Sequence, residues 1–168
     1  QEAFQFVYIS ASKRDSYGIP GRVIPPGIDV AEWGGYRGSE AEVLRVGNTM
    51  RERNIMFDVD FQEEVCAGFL SHVAGVNPRI PGSEPAPNFE ALLELYRSKR
   101  CLLHVSRKEY EDGYNLATLE AMACGMPIVS LANPTSPITD GVDGYASYSP
   151  YTLHRRIDEL LNDADRAR

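Results

Sequence analysis

Residues 112–130 read DGYNLATLEAMACGMPIVS: an acid, a glycine-bearing turn, one short helix, a Gly-Met-Pro stop and an apolar strand without a gap. A helix that stops at glycine and passes straight into an apolar strand is half of a crossover, and crossovers build layered α/β folds. The rest of the chain repeats the alternation. Residues 42–46 (EVLRV), 72–74, 101–105, 127–131 and 144–147 read as strands. Residues 58–70 carry Val59, Phe61, Val65, Cys66 and Phe69 at helical spacing. Residues 88–100 open on Asn88 as N-cap and place Leu92, Leu93, Leu95 and Tyr96 on an apolar face. Residues 114–124 and 151–162 complete the helices, the last with Leu153, Ile157, Leu160 and Leu161 on one side. Strands alternating with helices pair in parallel, so the sequence predicts an α/β fold, a doubly wound parallel sheet with helices on both faces.

The first forty residues break this rhythm. Residues 5–12 read as a strand, 18–21 as a polar turn and 22–24 as a short strand that Pro25, Pro26 and Gly27 force into an extended exit. Residues 30–40, with Gly34, Gly35 and Gly38, read as a linker with Trp33 as a packing anchor. The boundary therefore falls at 40, with 1–40 closing a preceding domain and 41–168 forming the compact one. Because the opening segment reads as an internal strand, the chain is expected to be part of something longer. Its 168 residues suffice for one substantial core.

Composition removes several functions. A formal net charge of −7 with no Lys/Arg run leaves no phosphate-neutralising face, which excludes sustained nucleic-acid binding. Cys66, Cys101 and Cys124 are odd in number, widely spaced and set among apolar residues, which fits buried thiols in a cytoplasmic protein. No apolar stretch approaches a membrane span and no signal peptide is visible. His72, His104 and His154 show no ligand spacing and read as packing or surface residues. No G-x-G-x-x-G or P-loop lysine occurs, which argues against a dinucleotide oxidoreductase or an NTPase.

Ligands of doubly wound sheets lie beyond the carboxyl ends of the strands. Three loops qualify: 47–53, 106–113 and 132–141. At the tip of the 114–124 helix, the amides of Tyr114, Asn115 and Leu116 lack intrahelical partners and carry partial positive charge, while Gly113 permits close approach. Such an end takes phosphate, or it is an ordinary terminus capped by Asp112 or Asn115. Leu116, Leu119 and Ala123 mark a buried stripe on which Glu120 also falls, so that carboxylate is edge-solvated or paired. From Tyr114 to Glu120 the helix advances roughly 9 Å, a reach from diphosphate to ribose. Asp112 would then face the sugar.

These residues carry a resemblance. DGYNLATLEAMACGMPIVS is similar to the signature of family-4 retaining glycosyltransferases, which is acid, seven residues, Glu, then Ala-Met-Ala-x-Gly-x-Pro. The family's first acid is normally Glu; here Asp112 stands with Glu111 beside it, and either serves as the sugar contact. The family's Phe-Gly is replaced by Tyr114 and Asn115. RVIPPGID (22–29) resembles the lead into a donor domain, and LRVGNTMRER (44–53) occupies the place of the family's glycine loop around Gly47. There Asn48 takes the usual Arg position and Arg53 the usual Lys position, making Arg53 the cation of choice with Arg51 and Arg45 as substitutes. The bland alternative is a solvated charged turn of Arg51, Glu52 and Arg53. NPTSPITDGVDG (133–144) sits where the family has a Gly-Gly-x-x-Glu segment; Ser136 replaces that Glu, and Thr135 and Ser136 line the site.

The resemblance implies one Rossmann-like half of a GT-B architecture. It implies a hexosyltransferase-like, retaining and metal-independent donor-binding domain that needs no cofactor beyond its nucleoside diphosphate sugar substrate. The acceptor (a saccharide, lipid or other small molecule) would be bound by a domain before Gln1, so the isolated chain would be inactive, and the whole protein has room for peripheral membrane association. Asp112, Glu120 and Arg53 would be the catalytic set. A non-catalytic nucleotide- or sugar-binding module is the alternative. A hydrolase pairing Glu111 or Asp112 with Glu120 is a weaker one, as is an epimerase of the same fold. Residues 72–77 are the place where the base would be read.

Overall fold

The computed structural model describes residues 4–110, 112 and 115–168; the expectations placed on Glu111, Gly113 and Tyr114 lie outside them. In chain order the elements are β1 (Val7–Tyr8), α1 (Ala11–Tyr17), β2 (Arg22–Val23), α2 (Val30–Trp33), β3 (Glu40–Val46), α3 (Asn54–Phe57), α4 (Val59–Val65), β4 (Ser71–Ala74), α5 (Phe89–Ser98), β5 (Lys99–His104), α6 (Leu116–Cys124), β6 (Ile128–Leu131), β7 (Tyr145–Ser147), α7 (Pro150–Asn162) and α8 (Ala164–Ala167). Strands β3 to β7 form one parallel sheet in the order β4-β3-β5-β6-β7, and β1 pairs with β2 in a separate parallel ribbon.

Alternate residues of each strand feed two cores. Val43, Cys101, Leu103, Val105 and Val129 meet Val65 of α4 and Leu153, Ile157 and Leu160 of α7. Leu44, Leu102 and Ile128, on the opposite face, meet Trp33 of α2, Leu93 and Tyr96 of α5, and Ala121 and Cys124 of α6. The sheet is thus covered on both sides, as parallel pairing requires. It is the doubly wound, Rossmann-like α/β fold that the alternation predicts. β5 and β6 are buried along their whole length. Even the polar start of β5 is satisfied, because Lys99 pairs with Glu40 and Glu42 while Arg100 donates to the carbonyls of Gly38, Leu160 and Leu161. Cys66, Cys101 and Cys124 are buried free thiols. Among the described residues no helix is long and apolar enough to cross a membrane.

Several boundaries differ from the sequence reading, each for a local reason. The strand read over 5–12 shrinks to Val7–Tyr8, because Ser10 accepts a hydrogen bond from Lys13 N and caps α1, a helix the sequence reading did not expect. The linker 30–40 holds a short helix, α2, capped by Asp29. The helix expected over 58–70 starts at Val59 and ends at Val65, and Asp58 in the left-handed region separates it from α3. α5 stops at Ser98, since Lys99 already belongs to β5. α6 begins at Leu116 rather than Tyr114 because Asn115 is its cap, its Oδ1 accepting from Thr118 N.

Two loops that frame the carboxyl end of the sheet are locked together. Asn48 Oδ1 accepts from Val76 N, and Asn77 donates to the Gly47 carbonyl while accepting from Met50 N, each at 2.8 Å. Gly75 sits between them at φ +140°, where a Cβ would lie 2.1 Å from the Gly47 carbonyl oxygen. Gly75→Ala should therefore cost about 3 kcal/mol through overpacking and backbone strain, which the midpoint of urea unfolding would register; an unchanged midpoint would show that the two loops are not locked.

Candidate functional site

The chain leaves β3 toward β4 on one side of the sheet and later returns to β5 on the other. Such a reversal opens a crevice between the two strands at their carboxyl ends. A cleft of about 70 Å³ lies there, lined by Arg53, Met56, Phe57, Val105, Ser106, Asp112 and Asn115. Arg53 from one motif and Asp112 and Asn115 from another, more than fifty residues later, are brought together in it.

The three candidate arginines have different fates. Arg45 is buried on β3 and donates to Ser71. Arg51 reaches α4, pairing with Asp60 and with Glu63 at 2.6 Å, and these carboxylates raise its pKa. Arg53 has no carboxylate partner among the described residues. Its guanidinium lies 4.8 Å from the Phe57 ring centroid and its Nη2 is 3.7 Å from Met56 Sδ. Of the three, only Arg53 brings an uncommitted positive charge to the cleft. Gly47 and Asn48 serve the loop itself through the bonds to Asn77 and Val76 rather than facing it with polar side chains.

Opposite Arg53 stands the start of α6. With the cap at Asn115, the first-turn amides are those of Leu116, Ala117 and Thr118, and Thr118 is already bound by the cap. Leu116 is 55% exposed, and of the Leu116, Leu119, Ala123 set expected from spacing only Ala123 belongs to the buried stripe, which it shares with Thr118, Ala121 and Cys124. The reason is a tertiary one: small residues let α6 lie close to the sheet, and the leucines are displaced to its flanks.

Asp112 points inward. Its side chain is 3% exposed, and its two carboxylate oxygens lie 2.8 and 3.0 Å from His104 Nε2, within hydrogen-bonding distance. Its backbone N–H donates to Thr135 Oγ1 at 2.8 Å. Thr135 in turn is held by Asn133 Oδ1, while Asn133 Nδ2 donates to the carbonyls of Ser106, Arg107 and Tyr110. Ser136 accepts from Ile138 N and so shapes its own turn. Thr135 thus reaches the site through the backbone of Asp112. His104 and Asn133 are the residues that reading by motif missed. A histidine closing an otherwise apolar strand, CLLHV, was the available signal, since a buried imidazole needs a partner. His154 is a packing residue as expected, stacked on Phe69 and bonded to the Val65 carbonyl.

Glu120 is half-buried and its Oε2 accepts from Tyr96 Oη at 2.7 Å. Burial raises its pKa and the Tyr96 hydrogen bond opposes that rise. It is turned toward α5 and Asp112 toward β5, so the two acids do not share one bond to flank. A raised pKa means that ionised Glu120 weakens the fold above the ordinary carboxyl range, a cost that vanishes once the group is protonated. Glu120→Gln should therefore raise the melting temperature at pH 7, with the gain shrinking to nothing as pH falls below about 4; an equal gain at both pH values would contradict this origin.

The family described as "Glycosyl transferases group 1" matches residues 69–163, more than half of the chain. No curated protein matches the sequence. Among solved structures, Anabaena Alr3699/HepE in complex with UDP and glucose superposes with a TM-score of 0.68 at 14% identity, over 97% of this chain and 55% of that one. An S. aureus TarM mutant in complex with Fondaparinux, alpha-GlcNAc-glycerol and UDP gives 0.62 at 14% identity, over 97% and 38%. AviGT4, a glycosyltransferase involved in Avilamycin A biosynthesis, gives 0.61 at 20% identity, over 96% and 58%. At these identities the likeness is one of fold, and the chain spans well under two thirds of each structure's length.

Proposed function

The chain belongs to the group 1 glycosyl transferases, and from that premise we propose that it is the donor-binding half of a GT-B enzyme that holds a nucleoside diphosphate sugar. The observation that carries the reading is Arg53, a cation without a carboxylate partner among the described residues, set in one cleft with the Asn115 cap of α6 at the sheet's reversal point. A guanidinium on one side and helix amides on the other form a clamp for a diphosphate. HepE and TarM, which share the fold, were both solved with UDP bound, and this supports assigning the cleft to a nucleotide.

In this reading negative charge grows on the departing diphosphate as the glycosidic bond breaks. Arg53 and the amides of Leu116 and Ala117 stabilise that charge more in the transition state than in the ground state, which lowers the barrier. Glu120, one turn and more along α6, accepts from the ribose hydroxyls with Oε1. Asp112, engaged by His104, fixes the loop that carries the sugar subsite, and Glu111 is the acid left to meet sugar hydroxyls. Retention of configuration, independence of metal and the absence of a further cofactor are what the family-4 signature implies. A cytoplasmic site of action is what the three separate thiols, Cys66, Cys101 and Cys124, fit. The acceptor belongs to a second α/β domain preceding Gln1, so this chain by itself binds donor weakly and transfers nothing.

Isothermal titration of the 168-residue chain with UDP, GDP and ADP tests the reading. One of the three should bind, and Arg53→Ala should weaken it by about tenfold, the worth of one charge-assisted contact to phosphate. Arg51→Ala, which removes a cation committed to α4, should leave the affinity within about twofold, in line with its small role as a surface ion pair. No heat with any nucleotide, or equal loss from both variants, would remove the diphosphate clamp.

A further inference from the structure

Resting on the ribose role proposed for Glu120, we infer that Tyr96 is a positioning residue for donor binding, its hydroxyl holding one oxygen of the Glu120 carboxylate so that the other faces the ligand. The geometry is specific. Tyr96 Oη lies 2.7 Å from Glu120 Oε2, while Oε1 has no hydrogen-bond partner among the described residues. A half-buried carboxylate with no anchoring partner samples several rotamers, and ordering it on binding costs about 1 kcal/mol or more. Anchoring one oxygen beforehand removes that cost and aims the remaining lone pairs.

Tyr96 is itself immobile. It is 0% exposed on α5, and the indole of Trp33 meets its ring edge-on at a centroid distance of 5.4 Å. Trp33 is buttressed in turn by Phe89 at 5.5 Å. Burial and the adjacent Glu120 hold the phenol well above its ordinary pKa, so it remains a donor. Trp33 belongs to α2, in the segment that leads into β3. The seating of that segment on the sheet is therefore transmitted through one aromatic contact and one hydrogen bond to the carboxylate that grips the nucleoside.

Tyr96→Phe keeps the ring and its contact with Trp33 while deleting the hydroxyl. The measurement is the dissociation constant of the tightest-binding of UDP, GDP and ADP and of its 2′,3′-dideoxy counterpart, for the wild type, Tyr96→Phe, Glu120→Ala and the double variant. The wild type should prefer the ribose form by about tenfold, the size of one hydrogen bond to a charged acceptor. Tyr96→Phe should reduce that preference to about threefold with the dideoxy affinity unchanged, and the double variant should match Glu120→Ala. Equal preference in Tyr96→Phe and the wild type, or an equal loss for both ligands, would overturn the positioning role. A preference that survives Glu120→Ala would instead overturn the ribose assignment on which it rests.

Discussion

The reversal of strand order beside β3 is the constraint on which the rest depends. Because β4 lies on one side of β3 and β5 on the other, their connecting helices pack on opposite faces, and the loops that follow β3 and β5 flank the ground between the strands' carboxyl ends. Whatever residues the β3 and β5 loops carry must meet there. That is how Arg53, at the end of one loop, comes to line the same cleft as Asp112 and Asn115 from another. The chemistry of the site is local, but its assembly is topological.

Asparagine side chains hold the loops in place. Asn48 and Asn77 stitch the β3 loop to the β4 loop, Asn133 ties the β6 loop to three carbonyls of the β5 loop, and Asn115 caps α6. Each carries a donor and an acceptor on one short planar group, so it replaces a strand partner where regular pairing has ended. Loops fixed in this way hold Arg53 and the start of α6 in one cleft.

The acidic residues show where reading by pattern runs out. Spacing placed Asp112 and Glu120 on either side of a helix tip, and both do lie there. It could not tell that each has an internal partner, His104 for one and Tyr96 for the other, since those partners sit on β5 and α5. Nor could spacing rank Arg45, Arg51 and Arg53. Arg51 is drawn away by Asp60 and Glu63 one helix later, and Arg45 faces the core because it alternates with Val43 on the inward side of β3. Leucine periodicity misled for a similar reason: in α6 the close approach is made by alanine, threonine and cysteine, residues that hydrophobicity alone ranks below leucine.

By itself the sequence determined the alternation of strands and helices, the stop of α6 at Gly125, the cap at Asn88, and therefore a parallel sheet wound on both faces; the choice of Asn115 over Asp112 as the cap of α6 came from the structure. Those are properties of periodicity and of backbone groups satisfied within a few residues. Tertiary structure alone decided which arginine keeps its charge for a ligand and which way each carboxylate points. It also decided that a tyrosine far along the chain would sit behind Glu120. Such choices depend on partners brought close only by folding, across separations of 8 residues for His104 and Asp112 and 24 for Tyr96 and Glu120. No local rule reaches that far, because the energy of a buried polar group is set by whatever the fold places beside it.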